Sequence, residues 1–367
     1  MADQNKGMSD LWRRLRFVFM AIVVYRMGTH IPIPGIDPTR LAALFDQNQG
    51  TILEMFNLFS GGALERMSIF ALNVVPYISS AIIMQLFSNS IPYLQELKKD
   101  GQAGRNQITQ YTRYGTVILA FIQASALAVT LGASGLAYEP GTSFFISAVF
   151  SVVAGTIFLM WLGELISERG IGNGISIIIA TSILTGIPGA IGQALEQARQ
   201  GDLNILLLLG IGVLAMLVIA VVVFIERGQR RITVNYAQRQ QGRKLMQAQA
   251  SHLPFKVNMA GVIPAIFAST FLLFPASLST WFGQAESFGF LQTISLALNP
   301  GQPLYILTFS ALIISFCFIW LALTFDTKEV TDNLKKSGGF VPGIRPGEQT
   351  AAYVDSVLAR FTAFGSI

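Results

Sequence analysis

The sequence alternates long apolar runs with shorter stretches that are polar or contain glycine and proline. A helix needs about 20 mostly apolar residues to cross the hydrocarbon layer of a membrane. Runs of that length predict eight membrane-spanning helices, near residues 17–34, 69–91, 114–136, 144–163, 174–195, 203–225, 258–282 and 303–325. A ninth begins in VLARFTAFGSI, which ends at Ile367 after about half the length of a span. The pattern therefore predicts an all-α, polytopic membrane protein whose sequence stops inside a span.

The positively charged residues predict the orientation of these helices. Of the 25 Lys and Arg residues, 21 lie in the N-terminus and in the loops on one side of the predicted helices. Cytoplasmic loops of membrane proteins carry an excess of Lys and Arg. We therefore expect residues 1–16 and the loops 226–257 and 326–355 to be cytoplasmic. No cleavable signal peptide is predicted, because the apolar run after Arg16 continues into IPIPGI without a small-residue cleavage site.

One apolar stretch, NLFSGGALERMSIFALNVVPYISSAIIM at 57–84, begins poorly for a span. Gly61-Gly62 and Glu65-Arg66 lie near its start, and a charge at the centre of a span costs about 2.5–3.5 kcal/mol. A full crossing here would also turn the basic loops outward. We expect instead a re-entrant half-helix over about 52–68, which enters from outside, turns back at the glycine pair and makes few contacts with the spanning helices. It implies a cavity that opens to the outer side, because non-helical backbone at membrane depth needs protein or water around it.

Composition and isolated reactive residues exclude several function classes. Only 12% of the 367 residues are charged, against about 25% in soluble domains. One cysteine, Cys317, and two distant histidines, His30 and His252, cannot form a disulfide framework or a Cys/His metal site, so we expect no cofactor and no metal. GIGNGIS at 170–176 lacks the Lys-Ser/Thr of a phosphate-binding loop, and the spans contain neither HExxH nor paired aspartates. No catalytic residue and no enzyme activity are predicted.

A weak internal repeat indicates two related halves. VVPYISS at 74–80 resembles VIPAIFA at 262–268, five helices later, although proline is common enough in membrane helices to leave chance as an alternative. An odd number of spans per half would invert the second half relative to the first. We expect halves at 17–195 and 196–367 with a pore or binding site between them. A secondary transporter is the alternative by class, but Arg26 is the only clear charge inside a span and no row of Asp or Glu indicates ion coupling.

Seven longer motifs resemble the SecY family, whose members are central channel subunits of the bacterial Sec protein translocase. They stand in the order and at the spacing of that family: IPIPGID at 31–37, MFNLFSGGALERMSIFAL at 55–72, GQAGRNQITQYTRYGT at 101–116, MWLGELISERGIGNGISIII at 160–179, ERGQRRITVNYAQRQQGRK at 226–244, HLPFKVNMAGVIPAIFAS at 252–269 and NLKKSGGFVPGIRPGEQTAAY at 333–353. The resemblance implies a ten-span helix bundle with inverted-repeat halves and a re-entrant plug. The tenth span and most of the ninth are missing from this sequence.

The resemblance also implies four groups of functional residues. A plug that closes the outer funnel corresponds to Asn57, Phe59, Ser60, Gly61, Gly62, Glu65 and Arg66. An aliphatic ring around the pore corresponds to Val74, Ile78, Ile179 and Ile266. A lateral gate toward lipid corresponds to Ser79, Gln123, Asn258 and Phe274. Cytoplasmic contacts to a motor and to the ribosome correspond to Arg230, Arg231, Arg239, Arg243, Lys244, Arg345 and Glu348.

Each group has an ordinary structural alternative. The plug stretch could be a re-entrant filler, the ring residues could be helix-packing residues, and the gate residues could make ordinary interhelical hydrogen bonds. The basic loop 226–257 could contact anionic lipid rather than a protein or RNA.

The resemblance finally implies the function and the partners. A protein of this family moves unfolded secretory polypeptides across the bacterial inner (plasma) membrane and releases transmembrane segments sideways into the bilayer. The expected partners are the channel subunits SecE and SecG, the SecA motor ATPase, the ribosome including its RNA, signal peptides and nascent chains, and membrane lipids. Energy would come from those partners, since the chain itself is expected to catalyse no covalent chemistry.

Overall fold

The computed structural model describes residues 2–41, 57, 60–139, 141–201, 204–236, 240–241, 244–245, 250–282, 298, 302–325, 327–345 and 347–366. The chain forms two compact units, Met1–Asp202 with Thr270–Ile306 and Leu203–Ser269 with Leu307–Ile367. Within the described residues five helices are long and apolar enough to cross a membrane: Gln102–Gly132, Thr142–Arg169, Gly174–Gln200, Leu206–Arg227 and Pro303–Ala322. Each coincides with a predicted span, so the helical membrane architecture is confirmed.

The first unit is helical. Its helices are α1 (Ala2–Gly28), α2 (Val75–Ser90), α3 (Pro92–Lys99), α4 (Gln102–Ala133), α5 (Thr142–Arg169) and α6 (Gly174–Gln200). The predicted first span is too long at its end, because the helix stops at Gly28 and the prolines of IPIPG disfavour helical backbone. The predicted second span starts too early, since α2 begins at Val75 with Pro76 in its first turn. Proline is tolerated there because the amides of a first turn have no hydrogen-bond partner within the helix.

Two apolar clusters form the interior of the first unit. One packs α4 and α5 against the loop after α1 and contains Ile33, Leu64, Met67, Leu72, Ala120, Ala124, Leu131, Val149 and Val152. The other packs α1, α5 and α6 together and contains Tyr25, Ala63, Phe70, Val74, Leu159, Ile166 and Ile178. Both clusters receive side chains from the stretch between Ser60 and Val74, which therefore belongs to the core of this unit.

The second unit combines helices with a small antiparallel sheet. Its elements are α7 (Ile205–Arg227), β1 (Gln229–Tyr236), β2 (Gln240–Gln241), β3 (Lys244–Leu245), β4 (Ala250–Lys256), α8 (Ile263–Phe282, whose residues from Thr270 belong to the first unit), α9 (Pro303–Thr324, whose residues up to Ile306 belong to the first unit), α10 (Thr327–Lys336), β5 (Gly339–Phe340) and α11 (Glu348–Ser366). The strand order is β4-β1-β5, with Ile232 opposite Leu253 and Asn235 opposite Phe340; β2 pairs with β3. Aromatic contacts of Phe267 with Phe316 and Trp320 join α8 to α9.

The sheet lies in the stretch that the hydropathy pattern assigned to a loop. The sequence pattern that indicates this sheet covers only a few residues. Ile232 and Val234 are buried, whereas Arg231 and Thr233 are exposed, which is the period-two alternation of a half-buried strand. The third strand, β5, comes from the later loop 326–355, and the cluster beneath the sheet contains Ile232, Phe255, Val341, Val354 and Leu358. The two predicted cytoplasmic loops are thus parts of one folded body.

The starts of α2 and α8 have the same local structure. Asn73 and Gly261 have positive φ angles of 49° and 62°, and each stands three residues before the proline of its helix, Pro76 or Pro264. The amide of Ile78 donates to the carbonyl of Val74 at 3.0 Å, and the amide of Ile266 donates to the carbonyl of Val262 at 3.3 Å. This local likeness favours the predicted repeat, while the boundaries of the two halves stay a prediction.

Candidate functional site

The candidate site is built around residues 60–74, here called the 60–74 segment. Residues 61–67 form consecutive turns rather than a helix, and Gly61, Gly62, Met67 and Asn73 all have positive φ. Of the half-helix predicted over 52–68, the described residues Asn57 and Ser60 are helical, whereas 61–68 are not; residues 52–56, 58 and 59 lie outside the described residues. Met67 and Asn73 hold a left-handed backbone that few non-glycine residues adopt, so the surrounding contacts must stabilise it.

The 60–74 segment pairs with the loop that follows α1. The amide of Ile33 donates to the carbonyl of Met67 at 2.8 Å, and the amide of Ile69 donates to the carbonyl of Ile31 at 3.0 Å. These bonds form an isolated antiparallel bridge between Pro32 and Ser68. The motif IPIPG thus supplies extended backbone that pairs with a segment whose own backbone hydrogen bonds are those of turns.

The later part of the loop after α1 is also fixed by hydrogen bonds. The Asp37 carboxylate accepts from the Thr39 hydroxyl at 2.6 Å and from the Thr39 amide at 2.9 Å, and these bonds hold the pKa of Asp37 below its ordinary value. Arg40 donates to the carbonyl of Gly135 at 2.8 Å, and Ile36 forms a bridge to Ala137. The loop therefore contacts both the 60–74 segment and the turn that follows α4.

Most side chains of the 60–74 segment are buried. Seven apolar ones lie in the two clusters of the first unit: Ala63, Leu64, Met67, Phe70, Ala71, Leu72 and Val74. The backbone also approaches α5 closely, since a Cβ added at Gly155 would lie 2.0 Å from the carbonyl oxygen of Ile69. The expectation that this stretch makes few contacts with the spanning helices is wrong.

A buried polar cluster joins the 60–74 segment to α1 and α6. The Tyr25 hydroxyl lies 2.6 Å from Ser182 Oγ and 3.2 Å from the carbonyl oxygen of Ser60. Asn73 Nδ2 donates to Ser182 Oγ at 3.2 Å, and Ser182 Oγ lies 2.9 Å from the carbonyl oxygen of Ile178. Buried polar groups are costly unless they are hydrogen-bonded, so this Ser182 network favours the arrangement in which all three elements meet.

Gly61 and Arg26 complete the contact with the helices. Gly61 has a φ of +66°, and an added Cβ would lie 3.1 Å from Ser182 Cα and from Thr185 Oγ1, so both the backbone angle and the close approach to α6 require glycine. The carbonyl of Gly61 accepts from Arg26 Nη1 at 3.1 Å. Arg26, the only clear charge predicted within a span, therefore binds the backbone of the 60–74 segment.

The polar residues before and within the segment also have defined partners. Asn57 Nδ2 donates to Glu65 Oε2 at 3.0 Å, and Asn57 Oδ1 accepts from the Glu65 amide at 3.0 Å. Ser60 Oγ donates to the Asn57 carbonyl and accepts from the Leu64 amide. The Gly62 amide donates to the Asn57 carbonyl, and Arg66 contacts His30. Among the predicted plug residues only Phe59 lies outside the described part of the chain.

Three of the four predicted ring residues lie in one cluster. Val74 is buried and packs with the half-buried side chains of Ile78 and Ile179. Ile266 is half-buried in the second unit. The role of these residues as a pore ring stays a prediction.

The predicted gate residues have different surroundings. Ser79 is half-buried on α2, and Gln123 on α4 has its Oε1 shielded from solvent without a hydrogen-bond partner within the described residues. Asn258 accepts from the Gly261 amide at 2.9 Å and closes the turn before α8. Phe274 belongs to α8, but its side chain lies outside the described part. Their role at a lateral gate stays a prediction.

The predicted partner-binding residues lie at the sheet and beyond it. Arg230 and Arg231 are exposed on β1. Arg345 is exposed in the turn between β5 and α11, where its carbonyl accepts from Thr350 Oγ1 at 2.9 Å, and Glu348 is exposed as the first residue of α11. Lys244 belongs to β3 with its side chain outside the described part, and Arg239 and Arg243 also lie outside it. Their binding role stays a prediction.

Comparison with known proteins identifies the family. The family model described as SecY matches residues 68–367. The chain belongs to the SecY family.

Two curated SecY relatives match almost the whole chain. The protein translocase subunit SecY of Pseudomonas aeruginosa is 63% identical over 366 residues, which cover 100% of this chain and 83% of the relative. The corresponding subunit of Escherichia coli (strain K12) is 58% identical over 365 residues, with 98% and 82% covered. A SecY-family chain of this similarity is a protein translocase subunit, which is a channel component and not an enzyme.

Solved structures show the same fold at low sequence identity. A protein-conducting channel is similar with a TM-score of 0.66 and 18% identity, covering 97% of this chain and 83% of that chain. A SecY structure whose plug domain is described as stabilising the closed state has a TM-score of 0.65 and 18% identity, with the same coverage. Canine Sec61 in a ribosome-channel complex has a TM-score of 0.62 and 17% identity, with 97% and 84% covered. The predicted SecY fold is confirmed.

Sequence reasoning missed the residues that hold the 60–74 segment of this SecY-family chain. Tyr25, Asn73 and Ser182 were not singled out, and His30 was considered only as a metal ligand. The sequence feature that could have found them is a single polar side chain within an apolar run. Such a side chain inside a membrane protein needs a hydrogen-bond partner from another element. The sequence does not show which residue that partner is.

No group of three metal-ligating side chains occurs within the part of the chain that the structure describes.

Proposed function

We propose that this translocase subunit moves unfolded secretory polypeptides outward through a channel that the 60–74 segment closes at rest. The observation that carries the proposal is the Ser182 network, in which a non-helical segment is held between α1 and α6 by polar contacts. Displacing the segment breaks these hydrogen bonds and its apolar contacts in the two clusters, but the spanning helices keep their own hydrogen bonds when it moves. The segment is therefore suited to act as a plug, together with Asn57 and Phe59.

An aliphatic ring of Val74, Ile78, Ile179 and Ile266 would form the constriction of this channel. Val74 is both the last residue of the 60–74 segment and a neighbour of Ile78 and Ile179, which supports a direct connection between plug and ring. A narrow apolar collar resists ion leakage by dewetting and offers no charge to which a passing polypeptide binds.

Transmembrane segments of substrates would leave sideways through a gate that includes Ser79, Gln123, Asn258 and Phe274. The buried Gln123 Oε1 supports this role: it has no hydrogen-bond partner among the residues that the structure describes, and a shielded acceptor favours a state in which a donor reaches it. Interhelical polar contacts in membranes contribute only about 0.6 kcal/mol on average, which biases closure without preventing opening.

The sheet and the Arg345 turn would bind the partners that supply energy. Arg230, Arg231 and Arg345 are exposed cations of one folded unit, and we include Arg239, Arg243, Lys244 and Glu348 in the proposed partner-binding set. By family resemblance the partners are the SecA motor and the ribosome with its RNA, an extended anion that attracts a basic surface. SecE and SecG would complete the channel.

The chain would lie in the bacterial inner membrane with its N-terminus in the cytoplasm. The distribution of Lys and Arg supports this orientation, since 21 of 25 occur on the side of the N-terminus. The 60–74 segment and the loop after α1 would then face the periplasm.

Transport by membrane vesicles that carry the complex tests the proposal. Inverted vesicles supplied with SecA and ATP are expected to import a polypeptide with a signal sequence and to protect it from added protease. A matched polypeptide without the signal sequence should remain accessible. Uptake of a small solute without import of the polypeptide would contradict the proposal and favour a secondary transporter.

A further inference from the structure

His30 and Arg66 make a contact that none of the roles above uses. His30 follows α1 by two residues, and Arg66 belongs to the 60–74 segment. Arg66 Nη1 lies 3.1 Å from His30 Nε2. The guanidinium of Arg66 also lies over Gly62, since a Cβ added there would be 3.8–3.9 Å from three of its atoms. One side chain thus connects the imidazole to the turn at the glycine pair.

The neighbours of His30 determine which ring nitrogen carries the proton. His30 Nδ1 lies 2.8 Å from the carbonyl oxygen of Arg26, which can only accept a hydrogen bond. Thr29 Oγ1, 3.3 Å from the same nitrogen, donates its own proton to that carbonyl and is also left as an acceptor. Nδ1 therefore carries the proton of the neutral ring, and Nε2 presents a lone pair. Arginine offers only donors, so the contact with Arg66 requires this neutral form.

Protonation of His30 would reverse the interaction. Nε2 would become a donor facing a guanidinium, and two positive groups would lie 3.1 Å apart. Among the described residues near this end of α1, Arg26 donates to the Gly61 carbonyl, Glu65 Oε2 accepts from Asn57, and Asp37 further along the loop is paired with Arg40. Within the described residues no carboxylate forms an ion pair with His30 to offset the added charge. Histidine is the side chain whose ordinary charge change falls between pH 5 and 8.

We propose that His30 is a positioning residue for the plug: its neutral form holds Arg66, and acidification of the compartment that His30 faces releases Arg66 and favours opening. The proposal rests on the proposed function of the 60–74 segment as a plug. Periplasmic pH would then change the closed-to-open equilibrium of the channel without any change in the cytoplasmic partners. Because both side chains are exposed, salt should weaken the effect.

Resting ion conductance of the reconstituted complex in planar bilayers tests the proposal. The compartment facing His30 is brought from pH 7.5 to pH 5.5 while the other compartment stays at pH 7.5. For the unmodified chain we expect a several-fold rise in resting open events, which shrinks when the salt concentration is raised. Acidification of the opposite compartment alone should not produce the rise.

Three variants separate the proposal from a general effect of acid. His30→Gln keeps an acceptor for Arg66 without a titrating group, so its conductance should stay low at both pH values. His30→Lys carries the charge permanently and should be high at both. His252→Gln removes the only other histidine of the chain, exposed on β4, and should retain the full response.

The outcomes also separate this proposal from the plug function itself. A pH response that persists in His30→Gln, or is absent from the unmodified chain, overturns the role of His30. If Tyr25→Phe raises the resting conductance at pH 7.5 in the same experiment, the plug function stands even when the role of His30 fails. If neither Tyr25→Phe nor His30→Lys changes the conductance, both the plug function and the role of His30 are excluded.

Discussion

The hydroxyl of Tyr25 on α1 lies 2.6 Å from Oγ of Ser182 on α6, and the same hydroxyl contacts the carbonyl of Ser60. These two residues are 157 positions apart in the chain. The 60–74 segment lies between these two helices and is held by polar groups that the helices contribute. The contact explains why the 60–74 segment can be both non-helical and buried.

Tyr25→Phe should weaken closure while the fold is retained. The change removes the Tyr25 hydroxyl, so Ser182 Oγ and the Ser60 carbonyl each lose a hydrogen-bond partner. Leaving such buried groups unpaired lowers the stability of the closed arrangement by about 1–3 kcal/mol. We expect more frequent resting openings and faster import of polypeptides with defective signal sequences. Single-channel recordings and vesicle import measure the two effects. Tyr138→Phe, which changes an exposed tyrosine, is the matched control, and equal behaviour of the two variants would contradict the role of the Ser182 network.

Gly61→Ala should displace the 60–74 segment from α6. The added Cβ would lie 3.1 Å from Ser182 Cα in a backbone conformation that alanine rarely adopts. Gly135→Ala is a close control, because Gly135 has nearly the same φ, +67°, and no atom within 4 Å of the added Cβ. Both substitutions introduce a similar backbone strain, which should lower the free energy of unfolding by about 1 kcal/mol. Only Gly61→Ala should raise the resting ion leak; a leak in both variants would indicate strain alone.

Polar substitutions in the proposed ring should each raise the resting ion leak. Wetting an apolar collar costs free energy roughly in proportion to its area, about 25 cal/mol per Å², so asparagine lowers the barrier at every position. We expect Ile78→Asn, Ile179→Asn and Ile266→Asn to conduct more at rest and to accept weaker signal sequences. Leu206→Asn on the exposed surface of α7 is the control. Unchanged conductance in all three ring variants at normal protein levels would exclude these side chains from the pore.

Arg345→Glu should abolish motor-driven transport without loss of assembly. Arg345 is exposed on a turn held by the Thr350 hydroxyl, so the substitution reverses a charge without removing a buried contact. We expect ATP-dependent import to fall at least tenfold, while the chain still copurifies with SecE. Lys336→Glu makes the same change of charge at an exposed residue of the same unit and should retain most of the import. Normal import by the Arg345 variant would exclude its role in activation.

The stability contributed by Asp37 should depend on pH in the acid range. Hydrogen bonds from Thr39 lower the pKa of Asp37, so the folded state prefers the carboxylate more than the unfolded state does. That contribution is present above the unfolded pKa, about 3.9, and is lost as the pH falls through the lower folded pKa. Asp37→Asn should therefore lower the Tm of the detergent-solubilised complex at pH 7, and the difference should close toward pH 3. A difference that stays constant with pH would contradict this assignment.

The spans, the class of protein and the absence of a predicted enzyme site followed from local properties of the sequence. Hydropathy is averaged over about 20 residues, and an apolar run such as 205–227 is a membrane helix whatever its neighbours are. The boundaries were less accurate where proline decided them, at Gly28 and Val75, because the apolar pattern continues beyond the point where backbone geometry ends a helix.

The sheet and the conformation of the 60–74 segment were decided by tertiary structure. Asn73 and Ser182 are 109 positions apart, and their contact depends on which faces of α6 and the segment meet, a choice that hydropathy does not encode. The sequence showed that Gly61-Gly62, Glu65 and Arg66 disfavour a plain span. It could not show that Arg26, Tyr25 and His30 hold that stretch, because the free energy of a buried polar group depends on a partner that only the folded chain brings near.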